Sequence, residues 1–273
     1  MEFSNYLAAL DRAPAAKAKC GYCMYEFNAL GKEDTICIFC ENLVSNAQDA
    51  AVFSAEIAGA ISKAQAAAGS NDWETATKTL DSIAASSTDP KLTYVISIFY
   101  RYFSDFSYYS INYSMPGFME QNAAKIRQGL DLTTRWKELM YRTLSQIELK
   151  IKSETPADET LLWLRFIAYI KLRNLADAKT ALKDLLYLGK KDVLSEYAQM
   201  VLYVELNDKK SEGALEAMLK NGVLTSFYYL AKYLARNKKS DGAKQILEKL
   251  IKRNAMPIAL PLLNKISAEE SHY

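Results

Sequence analysis

The sequence predicts a mainly α-helical protein: an α-solenoid of antiparallel helix pairs preceded by a small N-terminal metal-binding module. Three observations predict it. Gly and Pro, which punctuate all-β chains, number only ten and six in 273 residues. Apolar residues recur at helical spacing in one stretch after another from residue 46 onward. All four cysteines fall within positions 20–40, in two matched pairs. With 50% of its residues apolar, the chain can bury a sizeable core, and global disorder is not expected.

The cysteines come first in the chain. Cys20-Gly21-Tyr22-Cys23 and Cys37-Ile38-Phe39-Cys40 form CxxC-x13-CxxC. Two residues between cysteines let a tight turn aim both thiolates at one ion and its backbone N–H groups at the sulfurs. Two such knuckles complete the tetrahedral four-sulfur shell that zinc accepts, with Zn–S near ~2.3 Å. The linker has room for a turn at Gly31-Lys32-Glu33-Asp34. The expected occupant is one structural zinc ion on Cys20, Cys23, Cys37 and Cys40. Iron, in a rubredoxin-like site or a cluster, is the competing occupant. Disulfides would need an oxidising compartment, and a redox CxxC would stand alone beside a βαβ pattern that is absent here. A catalytic zinc needs an open position, which four cysteines close.

Over residues 17–45 this segment resembles zinc ribbons. It departs from them in that Gly21 follows the first cysteine of its knuckle, not the second. The run Glu41-Asn42-Leu43-Val44 predicts a helix entered directly after Cys40, as in a treble clef, and both alternatives stay open. The resemblance implies binding of nucleic acid or protein, or the capping of a fold. Lys17, Lys19 and Lys32 stand against Glu26, Glu33, Asp34 and Glu41, an acidic balance that disfavours phosphate contacts. Tyr22, Tyr25, Phe27 and Phe39 read as the small core of the module, with base stacking as the alternative.

The helices carry stripes. Trp73, Ala76, Leu80, Ile83 and Ala84 make one; Leu175, Ala178, Leu182, Leu185 and Leu186 another; Ala243, Ile246, Leu247, Leu250 and Ile251 a third. Lys209-Lys210-Ser211-Glu212-Gly213-Ala214 recurs as Lys238-Lys239-Ser240-Asp241-Gly242-Ala243, with Ser211 and Ser240 expected as N-caps. Asn71-Asp72-Trp73 and Arg173-Asn174-Leu175 open helices in the same way. Four residues after Ala76, Ala178, Ala214 and Ala243 come Leu80, Leu182, Met218 and Leu247. This resembles the second helix of tetratricopeptide repeats, with Tyr169 at the family's first-helix Tyr and Ala64 and Ala231 at its small residue. Phe166 and Leu202 depart from that small residue, the repeat offsets are uneven, and residues 91–155 do not show the pattern. The resemblance implies a curved stack whose concave face holds a peptide or partner helix.

The expected organisation is a four-cysteine zinc module over 1–45, a first helical array over 46–154 and tetratricopeptide-like repeats over 155–273. A loop is expected over 110–117, and a seam at Ser153-Glu154-Thr155-Pro156-Ala157-Asp158. Residues 94–113 hold Tyr94, Phe99, Tyr100, Tyr102, Phe103, Phe106, Tyr108, Tyr109 and Tyr113. A helix packed on two sides accounts for them, and a partner or dimer surface is the alternative. Tyr197, Tyr203, Tyr228, Tyr229 and Tyr233 read as core or as the lining of a groove. Lys232, Arg236, Lys238, Lys239, Lys244, Lys249, Lys252 and Arg253 make the most basic stretch, read as a solvated helix face.

Net charge is +2, with no concentrated basic footprint. His272 is the only histidine, and no Walker loop, dinucleotide turn, GxSxG or HExxH occurs, so no enzyme is expected. Neither an export signal at Met1-Glu2-Phe3 nor an apolar run of membrane-spanning length is visible. The expectation is therefore a cytoplasmic, soluble interaction adaptor with a protein or peptide partner. A nucleic-acid-associated factor is the second reading, and a homo-oligomer is also open.

Overall fold

The computed structural model describes residues 4–11, 16–30, 36–42, 52–70, 72–109, 117–153, 158–188, 192–253 and 258–270. The expected turn at 31–34, the helix entry at Leu43 and Val44, the loop over 110–116 and most of the 153–158 seam lie outside these residues, as do Tyr113 and His272. Among the described residues there are thirteen helices and one two-stranded sheet. None of those helices is long and apolar enough to cross a membrane. By contacts the chain divides into two units: residues 1–20, 25–49 and 156–273, and residues 21–24 with 50–155.

In the second unit, α2 (Ala55–Gly69) and α3 (Trp73–Ala84) form a packed pair. Each starts on a side-chain cap, Ser54 accepting from Ile57 N–H and Asp72 from Thr75 N–H. Ile61 and Ala64 of α2 are fully buried, as are Ala76 and Leu80 of α3, the last two belonging to the stripe that the spacing predicts. The aromatic-rich α4 (Pro90–Tyr109) lies against α3 and against the 31-residue α6 (Ala123–Ser153), with the short α5 (Phe118–Gln121) on α6. Two-sided packing explains the excess of aromatics. Tyr94, Phe99, Tyr100 and Phe103 are buried, while Tyr102 and Phe106 are half-buried. Trp73 packs 5.1 Å from both Phe103 and Phe106. The side chains of Tyr108 and Tyr109 are not among those described.

A polar seam joins α4 to α6: Thr143 Oγ1 donates to Thr93 Oγ1, which donates to Gln146 Oε1. Asp81 on α3 accepts from the Tyr100 hydroxyl at 2.6 Å and from Arg135 at 2.9 Å. Burial first, and Asp81 second, raise the Tyr100 hydroxyl pKa, so it stays a donor.

In the first unit, α1 (Ser4–Leu10) is followed by a hairpin. There β1 (Ala16–Lys19) pairs antiparallel with β2 (Glu26–Ala29), Ala16 opposite Ala29 and Lys19 opposite Glu26. Six helices then make three packed pairs: α7 (Glu159–Lys171) with α8 (Leu175–Tyr187), α9 (Val193–Leu206) with α10 (Ser211–Lys220), and α11 (Thr225–Arg236) with α12 (Ser240–Lys252). The last helix, α13 (Ala259–Glu270), packs on α12, which α1 also touches. The first helix of each pair touches the first helix of the next, α7 on α9 and α9 on α11.

The turn inside each pair is the same. Arg173, Asn207 and Lys238 take positive φ of 59°, 52° and 59°. The next N–H then returns to a carbonyl five residues back, Asn174 to Tyr169, Asp208 to Tyr203 and Lys239 to Leu234, each at 2.9 Å. This satisfies the orphan carbonyls at each helix end. The turns also correct one expectation. Asp158, Asn174 and Asp192 cap their helices as side chains, but at α10 and α12 the cap positions are Lys210 and Lys239, without side-chain cap bonds. Ser211 and Ser240 stand one place later, inside the first turn. At α12 the returning residue, Lys239, is itself the cap, whereas at α10 Lys209 and the cap Lys210 follow the returning Asp208; in both, the cap falls one place before the Ser.

Candidate metal centre

Cys20, Cys23, Cys37 and Cys40 are all fully buried, and none is in a disulfide. Their four Sγ atoms lie within 4.8 Å of one another, and Cys20 Sγ to Cys40 Sγ is 3.7 Å. A tetrahedron with metal–sulfur bonds of ~2.3 Å has edges of roughly 3.8 Å, so that spacing fits a single tetrahedral ion. It is also far beyond a disulfide bond of about 2.05 Å.

The two knuckles have the same backbone. In each, the N–H of the first cysteine bonds, at 2.9 Å, the carbonyl five residues on: Cys20 to Tyr25, and Cys37 to Asn42. The residue after the second cysteine takes positive φ, 59° at Met24 and 56° at Glu41. Phe39 N–H points at Cys37 Sγ, 3.4 Å away, as a donor to a thiolate. An all-thiolate shell around a dication stays anionic, and such amide donors offset that charge. Positive φ is the conformation glycine adopts freely. Its appearance here after Cys23 and Cys40 explains why a glycine belongs there in the usual ribbon, and why its absence costs this chain some backbone strain.

Each knuckle turn is tied to helices. The carbonyl of Cys23 accepts from Gln65 Nε2 of α2 at 2.6 Å, and Tyr22 meets Phe53 edge-on at 6.2 Å. Tyr25 stacks on Phe39 at 5.5 Å, and Phe27 and Phe39 are buried, so these aromatics are core.

The second knuckle is tied by a residue that sequence reasoning counted only as an acidic flank. Glu41 has no exposed surface. Its carbonyl accepts from Trp163 Nε1 at 2.8 Å. Its carboxylate takes an ion pair from Lys171, a hydrogen bond from the Tyr229 hydroxyl at 2.8 Å and a longer one from Tyr197 at 3.5 Å. These partners come from α7, α9 and α11, and their rings form a row: Trp163 to Tyr197 at 5.9 Å and Tyr197 to Tyr229 at 6.0 Å. Glu41 and Asn42 are not helical, so no helix begins at the residue after Cys40.

The charges continue along α9 and α11. Glu205, almost wholly buried, pairs with Lys232 and with Arg236 at 2.6 Å. Burial raises its pKa, but the two cations outweigh burial and hold its carboxyl down at about 2. Burial pushes the Lys232 ammonium down, as do Lys171 and Arg236, against the opposing pull of Glu205. Burial, then Glu41, raises the Tyr229 hydroxyl well above its ordinary range, so it remains a donor to Glu41.

The basic stretch is thus partly engaged inside the fold. Besides Lys232 and Arg236, Lys249 pairs with Asp11. Arg253 donates to Leu10 O at 2.9 Å, and its own carbonyl accepts from Asn28 at 3.1 Å, which fastens the hairpin to the end of α12. Of the tyrosines grouped with a groove, Tyr197 and Tyr229 hold Glu41, while Tyr203, Tyr228 and Tyr233 are half-buried.

Compared with protein-family models, with curated proteins and with solved structures, the chain shows no match in any of the three.

Proposed function

We propose that this chain is a non-enzymatic protein-interaction scaffold, a tetratricopeptide-like solenoid pinned by one structural zinc ion on Cys20, Cys23, Cys37 and Cys40. The observation that carries the reading is the union of a closed four-sulfur cluster with Glu41, the residue after its last ligand, which is rooted in three successive first helices. Zinc fits the donor set: four thiolates, tetrahedral spacing and no open position for a substrate. Four cysteines gathered on one site, with no disulfide among them, fit a cytoplasmic location. Three packed pairs with a repeated turn support the solenoid reading.

A scaffold also needs a surface for a partner. Leu130 and Tyr141 lie about three turns apart on α6, 56% and 60% exposed, and offer an apolar outer face. The buried aromatics of α4 do not. The nucleic-acid reading has less behind it, because Lys232, Arg236, Lys249 and Arg253 are engaged within the fold.

Two measurements test the proposal. Elemental analysis of the purified full chain should give about one zinc per chain; iron or no metal sinks the zinc assignment. Quantitative affinity capture from the native cell should return a protein whose direct binding is reproduced with purified components and lost in Leu130→Glu/Tyr141→Glu. Salt-sensitive RNA or DNA binding, with no such protein, would favour the nucleic-acid reading instead.

A further inference from the structure

The slot that holds Glu41 is composed like a ligand site. Four donors converge on one residue: Lys171 Nζ and the hydroxyls of Tyr197 and Tyr229 on its carboxylate, and the Trp163 indole N–H on its carbonyl. Three helices supply them, so the donors are set by helix packing and not by the loop that carries Glu41. Glu41 reaches them through a left-handed backbone that glycine would adopt more easily. Further buried polar groups stand unengaged on the same elements. Both amide atoms of Asn42, the next residue, are buried without a partner, as are the hydroxyls of Thr225 and Ser226, about one turn ahead of Tyr229 on α11. Native interiors rarely leave buried polar groups unsatisfied.

We propose that this slot is a binding site for an acidic residue of a partner polypeptide, and that Glu41 occupies it as an intramolecular stand-in while metal holds the adjoining knuckle. The ligand is recognised by a carboxylate and by the backbone carbonyl of the same residue, the two groups that Glu41 presents. The gating half rests on the metal reading given above. Glu41 directly follows Cys40, and its conformation is fixed by the knuckle bonds Cys37 N–H to Asn42 O and Glu41 N–H to Cys37 O. Metal bound to Cys37 and Cys40 holds that turn, and the tether gives Glu41 a high effective concentration that a free peptide must overcome. Metal loss frees the turn and opens the slot.

The test uses the full chain and a labelled peptide with the sequence of residues 36–42, serine replacing both cysteines, beside its counterpart with glutamine for the glutamate. Fluorescence anisotropy follows binding to the metal-loaded wild type, to the wild type stripped by chelator under reductant, to loaded Glu41→Gly, and to Glu41→Gly/Lys171→Met. Glycine accepts the positive φ, so Glu41→Gly frees the three carboxylate donors while keeping the knuckle and its carbonyl bond to Trp163.

Stripped wild type and loaded Glu41→Gly should bind the glutamate peptide at least about tenfold more tightly than the glutamine peptide. Lys171→Met should erase that preference, and loaded wild type should not titrate. No binding by loaded Glu41→Gly with its helical circular dichroism intact overturns the slot. If that variant loses its helical signal, Glu41→Asn, which also accepts the positive φ and is one methylene shorter, replaces it under the same expectations. Equal binding by loaded and stripped wild type overturns the gate. If elemental analysis finds no metal, the metal reading and the gate fall together, and the Glu41→Gly comparison still decides the slot.

Discussion

At the residue scale the decisive group is Glu41, a carboxylate with no exposed surface one peptide bond from a cysteine of the cluster. A buried charge is tolerated only when paired and hydrogen-bonded, and Lys171, Tyr229 and Tyr197 do both. Glu41→Ala leaves the Lys171 ammonium buried without its partner, and should cost about 3–5 kcal/mol in urea unfolding. Glu41→Gln/Lys171→Met, which removes both charges, should cost clearly less than Glu41→Ala; an equal loss would show that the pair is not the reason. None of this was legible in the sequence. Glu41 reads there as one acid among several, and its partners stand 122 to 188 positions away. The one usable signal was the missing glycine after Cys40, which marks a strained position kept for its side chain. Glu205 carries a pH prediction. Its folded pKa is depressed from 4.5 to about 2. Its contribution is therefore complete above the unfolded pKa and is lost as pH falls from about 4.5 through about 2. The loss should be on the order of 3 kcal/mol. Glu205→Gln should flatten that part of the stability–pH curve, and an unchanged curve would refute the assignment.

At the element scale the sequence was most informative, because a helix shows its buried stripe within a dozen residues. Ala76 and Leu80, Ala178 and Leu182, and Ala243 and Leu247 all turn inward as their spacing required. The aromatic run of α4 was legible as a helix packed on two sides, though its neighbours, α3 and α6, were not. Caps were legible only where the capping side chain is Asp or Asn. The repeated Lys-Lys-Ser pattern misled, since a left-handed residue such as Lys238 ends one helix and its neighbour Lys239 already begins the next. This difference can be measured. Asp192 accepts from Ser195 N–H at 2.9 Å, so Asp192→Ala should cost about 1 kcal/mol. Ser240 follows a cap position without a side-chain bond, and Ser240→Ala should stay within about 0.5 kcal/mol. Equal losses at the two sites would place the helix start at Ser240 after all.

At the scale of the whole molecule the question is what a metal on the cysteines does for helices that begin more than a hundred residues later. The free energy of binding a structural zinc to thiolates is large, roughly 10–16 kcal/mol in small zinc peptides, and appears as folding free energy of whatever the site holds together. Here the second knuckle holds Glu41, and Glu41 joins α7, α9 and α11 through Trp163, Lys171, Tyr197 and Tyr229. The hairpin adds a second tie through Asn28 and Arg253. Metal occupancy and helix stability are then thermodynamically linked, and the link runs chiefly through one residue. Chelation under reductant should lower the thermal midpoint of the wild type. Cys37→Ser should lower it without chelator and respond little to chelator added afterwards. Loaded Glu41→Ala starts less stable, yet its further drop on chelation should be smaller than that of the wild type, because the carboxylate part of the connection from knuckle to helices is already cut. Differential scanning calorimetry on the four combinations of loaded or stripped, wild type or variant, measures this coupling. If chelation lowers both proteins by the same amount, the cysteines stabilise their own turns alone and Glu41 transmits nothing.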